Sequence, residues 1–508
     1  MTDNASTPLA VLILGLGNSG LAMARWCARA GMTVSVADTR ESPPQLQTLR
    51  TQLPSVRFVS GGLDAALLQQ SDAQLVLKSP GITPQQIQGL TKAASATGIP
   101  VSGELGLFSA ALLSLQQERN YHPQVLAVTG TNGKTTVTAL TGQLVARTGR
   151  TVAVAGNIGP TLLDTLAAQL DAGTLPDVWV LELSSFQLAD VADTGRNIGN
   201  TAVTAFNPNA ACVLNVTQDH LDWHGSMDAY AQAKARVFGS TALMLLNRDD
   251  PAVLAMRATP AKGRPARPYR SFGAGLPQRP GDFGIEVVNG MAWLVRALEA
   301  DPTVRARRAQ EAEPLHIQRL MPAEALRIRG RHNAVNALAA LALACAAGCA
   351  LAPMLFGLRE YRGEPHRVES IGVFDEVEYF DDSKGTNVGA TVAALAGLGS
   401  ERRLVVILGG DGKGQDFSPL AAPVGQYVRA VVLIGRDAPR IRAALQGVAV
   451  PMRDASNMEH AVQLAREQAR AGDAVLLSPA CASLDMFDNY GHRAQAFCDA
   501  VRGMEVSP

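Results

Sequence analysis

The sequence has no net charge, with 45 lysines and arginines against 45 aspartates and glutamates. Nothing in that balance marks nucleic acid as the main partner. Long hydrophobic runs are missing too. The most apolar stretch, Ala337 to Ala352, is mostly alanine. It is shorter than the roughly 20 strongly apolar residues a membrane span needs, so it reads as one buried helix. Met1 to Pro8 is polar and has no basic-then-apolar signal pattern. Without signal or span, the chain is expected in the cytoplasm. Cysteine is scarce: Cys27, Cys212, Cys345, Cys349, Cys481 and Cys498 are scattered, with no CxxC pair. Cys345 and Cys349 are helix-spaced but have no histidine or acid nearby. That leaves buried thiols in a reducing compartment.

What the chain does have is apolar material, 47% of 508 residues. At roughly 150 residues per domain, about three domains are expected. Short β-branched runs alternate with amphipathic or alanine-rich stretches, the pattern of α/β domains with mostly parallel sheets. Strand-then-loop openings recur at Val11–Leu14 before Gly15, Val125–Val128 before Thr129 and Leu404–Leu408 before Gly409. The expected division is 1–101, 102–363 and 364–508, in series. Stretches rich in Pro, Arg and Gly (259–281) and in Arg and Glu (296–313) read as surface insertion, around 256–326 overall.

The first motif is Gly15-Leu-Gly17-Asn18-Ser19-Gly20, directly after a strand. Glycines there permit a tight turn and close approach of a diphosphate to a helix N-terminus. Asp38 ends the next strand, where an acid can hold a ribose hydroxyl. Taken alone, this fits a dinucleotide-dependent oxidoreductase as well as any other nucleoside diphosphate binder.

The second motif is Thr129-Gly130-Thr131-Asn132-Gly133-Lys134-Thr135-Thr136, between a strand and a helix. Its backbone N–H groups can cradle phosphates. Lys134 would offset the β/γ charge, and the Thr135 hydroxyl would hold Mg²⁺. Val128 stands where the strict phosphate loop has glycine, which makes this a shortened variant.

Glu182 ends the run Val178–Leu181, well placed for Mg²⁺ beside a phosphate loop, though a strand-end acid needs no metal. Asp219, His220, Asp222 and His224 crowd one short segment. Lys234, alone, reads as a solvated helix lysine. Asn333 and Asn336 are spaced i, i+3 on one helix face, suited to a base edge or to capping. Three further polar loops follow apolar runs: Asp381-Asp382-Ser-Lys384-Gly-Thr386-Asn387, Gly409-Gly-Asp-Gly-Lys413 and Ser478 to Asp485. Ligands of open α/β sheets collect at such strand ends.

Together these motifs resemble the Mur ligase family, the amide ligases of bacterial cell-wall precursor synthesis. The likeness rests on Gly130-Thr-Asn-Gly-Lys-Thr135 and His332-Asn-x-x-Asn336, and it covers nearly the whole chain in order. It implies a Rossmann-like N-terminal domain, a central P-loop ATPase-like domain and a Rossmann-like C-terminal domain. Asp38-Thr-Arg40, Ser79-Pro-Gly81, Gly156-Asn157, Glu182 to Gln187, Asp382-Ser-Lys384 and the 478–485 loop favour the branch that adds D-glutamate to UDP-N-acetylmuramoyl-L-alanine.

The resemblance then implies site roles. Gly130, Thr131, Asn132, Gly133, Lys134, Thr135, Thr136, Asn333, Asn336, Arg367, Asp382 and Lys384 would bind ATP. Asn18, Ser19, Asp38, Thr39, Arg40, Gly81, Asn157 and His220 would bind the UDP-substrate. Thr386, Lys413, Ser483, Leu484 and Tyr490 would bind D-glutamate. Tyr490 stands where the family is expected to have Phe. Two Mg²⁺ ions would be held by Thr135, Glu182, His220 and Lys234, the last as a CO₂-derived carbamate. Lys134, His220 and Lys234 would be catalytic. The implied reaction passes through an acyl phosphate and forms ADP, with the C-terminal domain closing on a hinge near Arg362 to Pro365. A sister ligase or folate-glutamylating enzyme stays open as an alternative, and a monomer is the default.

Overall fold

Three runs of consecutive apolar residues drive the architecture, because strands covered by helices on both faces lose their polar alternation. Val11 to Leu14, Leu126 to Val128 and Leu404 to Leu408 are all at most 2% exposed. Each buried Val, Leu or Ile side chain contributes about 1.5–3 kcal/mol. The computed structural model describes residues 8–191, 196–198, 201–257, 267–300 and 315–504. The chain is α/β, three domains in series.

The N-terminal sheet has five parallel strands in spatial order Arg57–Ser60, Thr33–Asp38, Ala10–Leu14, Leu75–Lys78, Val101–Ser102. The order reverses beside Ala10–Leu14, and its carboxyl end opens a crevice there. Helix Asn18–Arg29 leaves that crevice and packs Leu21, Met23 and Cys27 onto the sheet. Gly20 allows the close packing: a Cβ there would sit 2.0 Å from the Gly15 carbonyl oxygen.

The central sheet has six parallel strands, ordered Tyr269–Phe272, Leu243–Asn247, Ala210–Val213, Gln124–Thr129, Val178–Glu182, Val152–Gly156. Helix Lys134–Arg147 follows the phosphate loop and packs against helix Arg331–Ala346. The C-terminal sheet runs Glu369–Phe374, Val377–Asp381, Ala474–Leu477, Leu404–Gly409, Val428–Ile434, Met452–Asp454; its first strand pairs antiparallel, the others parallel.

Two expectations from sequence are corrected. The run Ala337–Ala352 is not one helix. It breaks after Ala346, and Gly348 at φ +81° turns the chain into helix Leu351–Glu360. The 259–281 and 296–313 stretches are not simply a surface insertion. Tyr269–Phe272 is the edge strand of the central sheet, with Phe272 1% exposed. Phe283–Val288, Met291–Glu299 and Leu315–Pro322 form an antiparallel sheet that buries Phe283, Leu294 and Met321 in the same core. Residues 258–266 and 301–314 of the expected insertion lie outside the described residues.

All six cysteines are free, and five are buried. Burial pushes the Cys27 thiol up to about 12. Among the described residues no helix is long and apolar enough to cross a membrane.

Trp179 is fully buried, meets Phe108 edge-on at 5.2 Å and donates from Nε1 to Tyr121 Oη at 2.9 Å. Trp179→Ala removes that contact and leaves a cavity, a loss of about 3–5 kcal/mol. Hydrogen exchange will show lower protection in Gln124–Thr129 and Val178–Glu182, with the C-terminal sheet unchanged. Equal protection in mutant and wild type would contradict this account of the central core.

Candidate active site

The N-terminal crevice opens into a cavity of about 540 Å³ between the first two domains. Gly17, Asn18, Ser19, Asp38, Thr39, Arg40 and Gly81 line it from one side, and Asn157 and Ile158 from the other. Asp38 is 3% exposed. Burial disfavours its charge, but two hydrogen bonds from the Arg40 guanidinium at 2.8 Å and the Leu16 N–H at 2.8 Å outweigh that. Its carboxyl is held at about 2. The acid that a dinucleotide fold would offer to a ribose is therefore already engaged by an arginine. Glu104, 2% exposed, accepts from the Leu163 N–H at 3.0 Å and from Ser19, so it joins the crevice to the central domain.

The phosphate loop begins later than a strict one because Val128 is still strand, hydrogen-bonded through its carbonyl to the Leu183 N–H. Gly133 turns at φ +83° into helix Lys134–Arg147, and a Cβ there would lie 2.9 Å from Asn336 Oδ1. Lys134 Nζ donates to the carbonyls of Gly130 and Thr131, each at 2.9 Å. Burial lowers its pKa, and Glu182 opposes. Lys234 is no solvated lysine. It is 1% exposed, its Nζ donates to the Gly130 carbonyl at 2.8 Å, and it lies 4.3 Å from the Tyr230 ring centroid. Burial first, then the charge of Lys134, drives its pKa well down.

The loop opens into a second cavity of about 530 Å³ lined by Thr131 to Thr135, Glu182, Asp219, His220, Asp222, Arg367, Lys384, Thr386, Asn387 and Lys413. Asn157 and Ile158 line both cavities, so the two adjoin across a shared wall. Glu182 Oε1 accepts from Asn157 Nδ2 at 3.2 Å, while Oε2 is buried without a hydrogen-bond partner. An unpartnered buried carboxylate oxygen beside a phosphate loop fits a divalent cation. His220 sits at φ +54° with its ring 4.7 Å from Phe186. Burial lowers its pKa, Asp219 opposes, and Lys134 and Lys234 add to the lowering.

A third cavity of about 100 Å³ lies behind the loop, lined by Asn132, Gly133, Thr136, His332, Asn333, Asn336, Arg367, Asp382 and Lys384. Here the C-terminal domain meets the central one directly. The Asn132 and Asn387 amides pair at 3.2 and 3.0 Å, and Arg367 Nη2 donates to Thr135 Oγ1 at 2.6 Å. The residues flanking Arg367 are both left-handed, His366 at φ +64° and Val368 at φ +52°. For a β-branched residue that is a strained conformation, of the sort found at functional sites. His366 Nδ1 meets Asp381 Oδ2 at 2.7 Å, and Val368 hydrogen-bonds to Asp382 through its backbone, so both sides of the arginine are clamped. Burial pushes Asp382 up to about 7, against the Ser478 hydroxyl at 2.6 Å and Arg367. Lys384 Nζ lies 4.0 Å from the Tyr490 ring centroid. Burial, then Arg367 and Lys134, lower it to about 8.

The structure thus gathers the N-terminal motif, the phosphate loop, Glu182, His220 and the 381–387 and 409–413 loops around adjoining cavities. Lys234 and Gly130 are buried just behind the lining. Ser483, Leu484 and Tyr490 do not line these cavities: Ser483 is buried, while Leu484 is 67% exposed. Sequence reasoning assigned no role to Asn387, Gln187 or Gln415. Gln187 lines the first cavity and closes a capping box with Ser184; that pattern was readable as Ser-x-x-Gln. Gln415 lines the second and accepts from the Val388 N–H at 3.0 Å, a contact with no local signal.

Comparison with known proteins agrees with this layout. Residues 9–103 match the family model "Mur ligase MurD-like, N-terminal domain", 128–278 "Mur ligase middle domain", and 366–481 "Mur ligase, glutamate ligase domain". The UDP-N-acetylmuramoylalanine–D-glutamate ligase of Albidiferax ferrireducens is 66% identical, with 98% of this chain and 97% of the relative covered. The enzyme of that name from Cupriavidus pinatubonensis is 56% identical, over 98% and 97%. Among solved structures, the fold is shared with UDP-N-acetylmuramate-alanine ligase of Thermotoga maritima (TM-score 0.52, 19% identity, 98% and 100% covered). It is shared too with a MurF ligase of that organism in complex with ADP (TM-score 0.54, 14% identity, 98% and 96%).

Glu182→Gln keeps the hydrogen bond to Asn157 but removes the charge. Titrating Mg²⁺ into the ATP-loaded protein by calorimetry, the half-saturating concentration rises about tenfold or more. An unchanged titration would take Glu182 out of the metal site.

Proposed function

The chain belongs to the Mur ligase family, and from that premise we propose that it joins D-glutamate to UDP-N-acetylmuramoyl-L-alanine at the expense of ATP, for peptidoglycan precursor synthesis. The observation that carries the reading is that the two cavities adjoin. The Gly15–Gly20 cradle lines one, the phosphate loop with Thr386 and Lys413 of the C-terminal domain lines the other, and Asn157 and Ile158 line both. A carboxylate delivered from the first cavity, a triphosphate on the loop and an amine from the third domain meet where the two adjoin.

In this reading the Gly15–Gly20 turn and helix N-terminus take the diphosphate, with Asp38, Thr39 and Arg40 toward the nucleoside. Asn157 carries the other end of this substrate to Glu182. Lys134 offsets charge on the γ-phosphoryl group as the substrate carboxylate attacks it, giving ADP and an acyl phosphate. The amine of D-glutamate then attacks the acyl carbon and phosphate leaves. Thr386 and Lys413 hold the incoming amino acid through its carboxylates, and Asn333 and Asn336 lie at the nucleotide cavity for the base. Ser483, Leu484 and Tyr490 are assigned to the amino acid on resemblance.

Thr135, Glu182, His220 and a carbamylated Lys234 would hold two Mg²⁺ ions. When bound, these neutralise charge on the transferring phosphoryl group. Burial disfavours the ammonium form of Lys234 and so favours the neutral amine, the form that adds CO₂. The carbamate would reverse its sign beside the metal. The C-terminal domain reaches the loop through Arg367 and Asn387 and swings on the 362–365 segment to admit substrates. The same reading expects the enzyme in the cytoplasm, where ATP and nucleotide-sugar precursors are available.

Two measurements test the reading. Phosphate release from ATP in the presence of UDP-N-acetylmuramoyl-L-alanine will depend on D-glutamate. Turnover with L-glutamate, meso-diaminopimelate or L-alanine, but none with D-glutamate, would overturn the assignment. Lys234→Ala will abolish turnover, and added bicarbonate will not restore it. With ¹³C-bicarbonate the wild type will show a carbamate resonance that Lys234→Ala lacks. A fully active Lys234→Ala enzyme excludes the carbamate role.

A further inference from the structure

One buried ion pair crosses from the N-terminal to the central domain outside the assigned machinery. Lys78 ends strand Leu75–Lys78 and is 3% exposed. Its Nζ lies 2.9 Å from Asp190 Oδ2 of the central domain, whose side chain is 13% exposed. The same ammonium donates to the Ile82 carbonyl at 2.8 Å and stands 5.3 Å from the Trp223 ring centroid. Gly103, where the chain leaves the first domain, packs onto the pair, and a Cβ there would lie 3.3 Å from the Asp190 Cβ.

Each partner sits on an element that serves a cavity. Ser79, Pro80, Gly81 and Ile82 line the first cavity, and the Lys78–Ile82 bond closes them into a loop. Asp190 caps helix Ser185–Ala189, which starts three residues after Glu182 and places Gln187 in the same cavity. Trp223 lies on helix Leu221–His224, directly after His220. A single ammonium therefore contacts the wall of the UDP-substrate cavity and the two helices that follow Glu182 and His220.

We propose that Lys78, with Asp190, is a positioning residue that fixes the UDP-substrate cavity relative to the segments that carry Glu182 and His220, so that the substrate carboxylate arrives within reach of the γ-phosphate. The inference rests on the ligase reading above. The physical logic separates positioning from stability. A buried ion pair gives little net stability, and well-packed apolar residues of similar volume replace it at no loss, whereas its directional contacts are lost in the replacement. A misplacement of about 1 Å at a reacting centre costs on the order of a hundredfold in rate.

The test is the double variant Lys78→Met/Asp190→Leu, measured beside the wild type. Expected are a melting temperature at or above that of the wild type and an unchanged KM for ATP. The kcat falls on the order of ten- to a hundredfold, and the KM for UDP-N-acetylmuramoyl-L-alanine rises. A well-folded double variant with wild-type kcat and KM overturns the proposal and reduces the pair to a structural contact. Lys78→Gln keeps a donor for Ile82 without the charge and decides the matter if the double variant does not fold: reduced kcat at unchanged KM for ATP supports the proposal, wild-type kinetics overturn it. A wild-type chain without D-glutamate-dependent turnover would count against the ligase reading instead, since that control involves neither variant.

Discussion

The carbonyl oxygen of Gly130 accepts hydrogen bonds from two lysines, Lys134 at 2.9 Å and Lys234 at 2.8 Å. Much of the molecule is arranged to make that possible. Two ammonium groups on one carbonyl repel each other, and only a loop that presents its oxygen inward, with acids close by, tolerates the arrangement. Glu182 and Asp219 provide that compensation, and burial keeps Lys234 from holding its full charge. A bound polyanion with its cations would offset the repulsion between the two lysines.

That pair of lysines sits where three sheets meet. Each domain delivers most of its polar residues from the carboxyl ends of parallel strands, where the helix N-termini also point; Arg367 reaches the same edge just before the antiparallel strand Glu369–Phe374. The central sheet offers the loop and Glu182. The N-terminal sheet offers a glycine turn, and the C-terminal sheet offers Arg367, Lys384 and Lys413. Arg367 shows how position is enforced: left-handed residues on both sides, each tied to a neighbouring carboxylate, fix its backbone, and its guanidinium donates to Thr135 Oγ1. Val368 bears that strain because its N–H and the neighbouring Asp382 gain a partner.

The strands that build the site were legible because burial on both faces writes itself into sequence as unbroken apolar runs. Ala10–Leu14, Val178–Glu182 and Ala474–Leu477 each differ by at most one residue from the expected run. The phosphate loop was legible because its chemistry is local. Lys234 was legible only through the family resemblance: its own helix pattern is that of a solvated face, and the fold shows it 1% exposed beneath the loop. Asn387 escaped for the same reason, since its partner Asn132 is 255 positions away. Tyr269–Phe272 was read as insertion because its neighbours are rich in proline and arginine, and an edge strand needs only one paired side.

The wall formed by Asn157 and Ile158 belongs to two cavities at once. For an inhibitor chemist this is a bisubstrate opportunity. Fragments seated on the glycine turn and on the phosphate loop are separated by a partition of two residues, not by a domain. A short tether across it makes the second fragment's binding intramolecular, at an effective concentration in the millimolar range for a flexible link. Rigid-body freedom is then lost once, not twice. Such a compound would also bridge two domains, so its affinity would report how firmly they are held together.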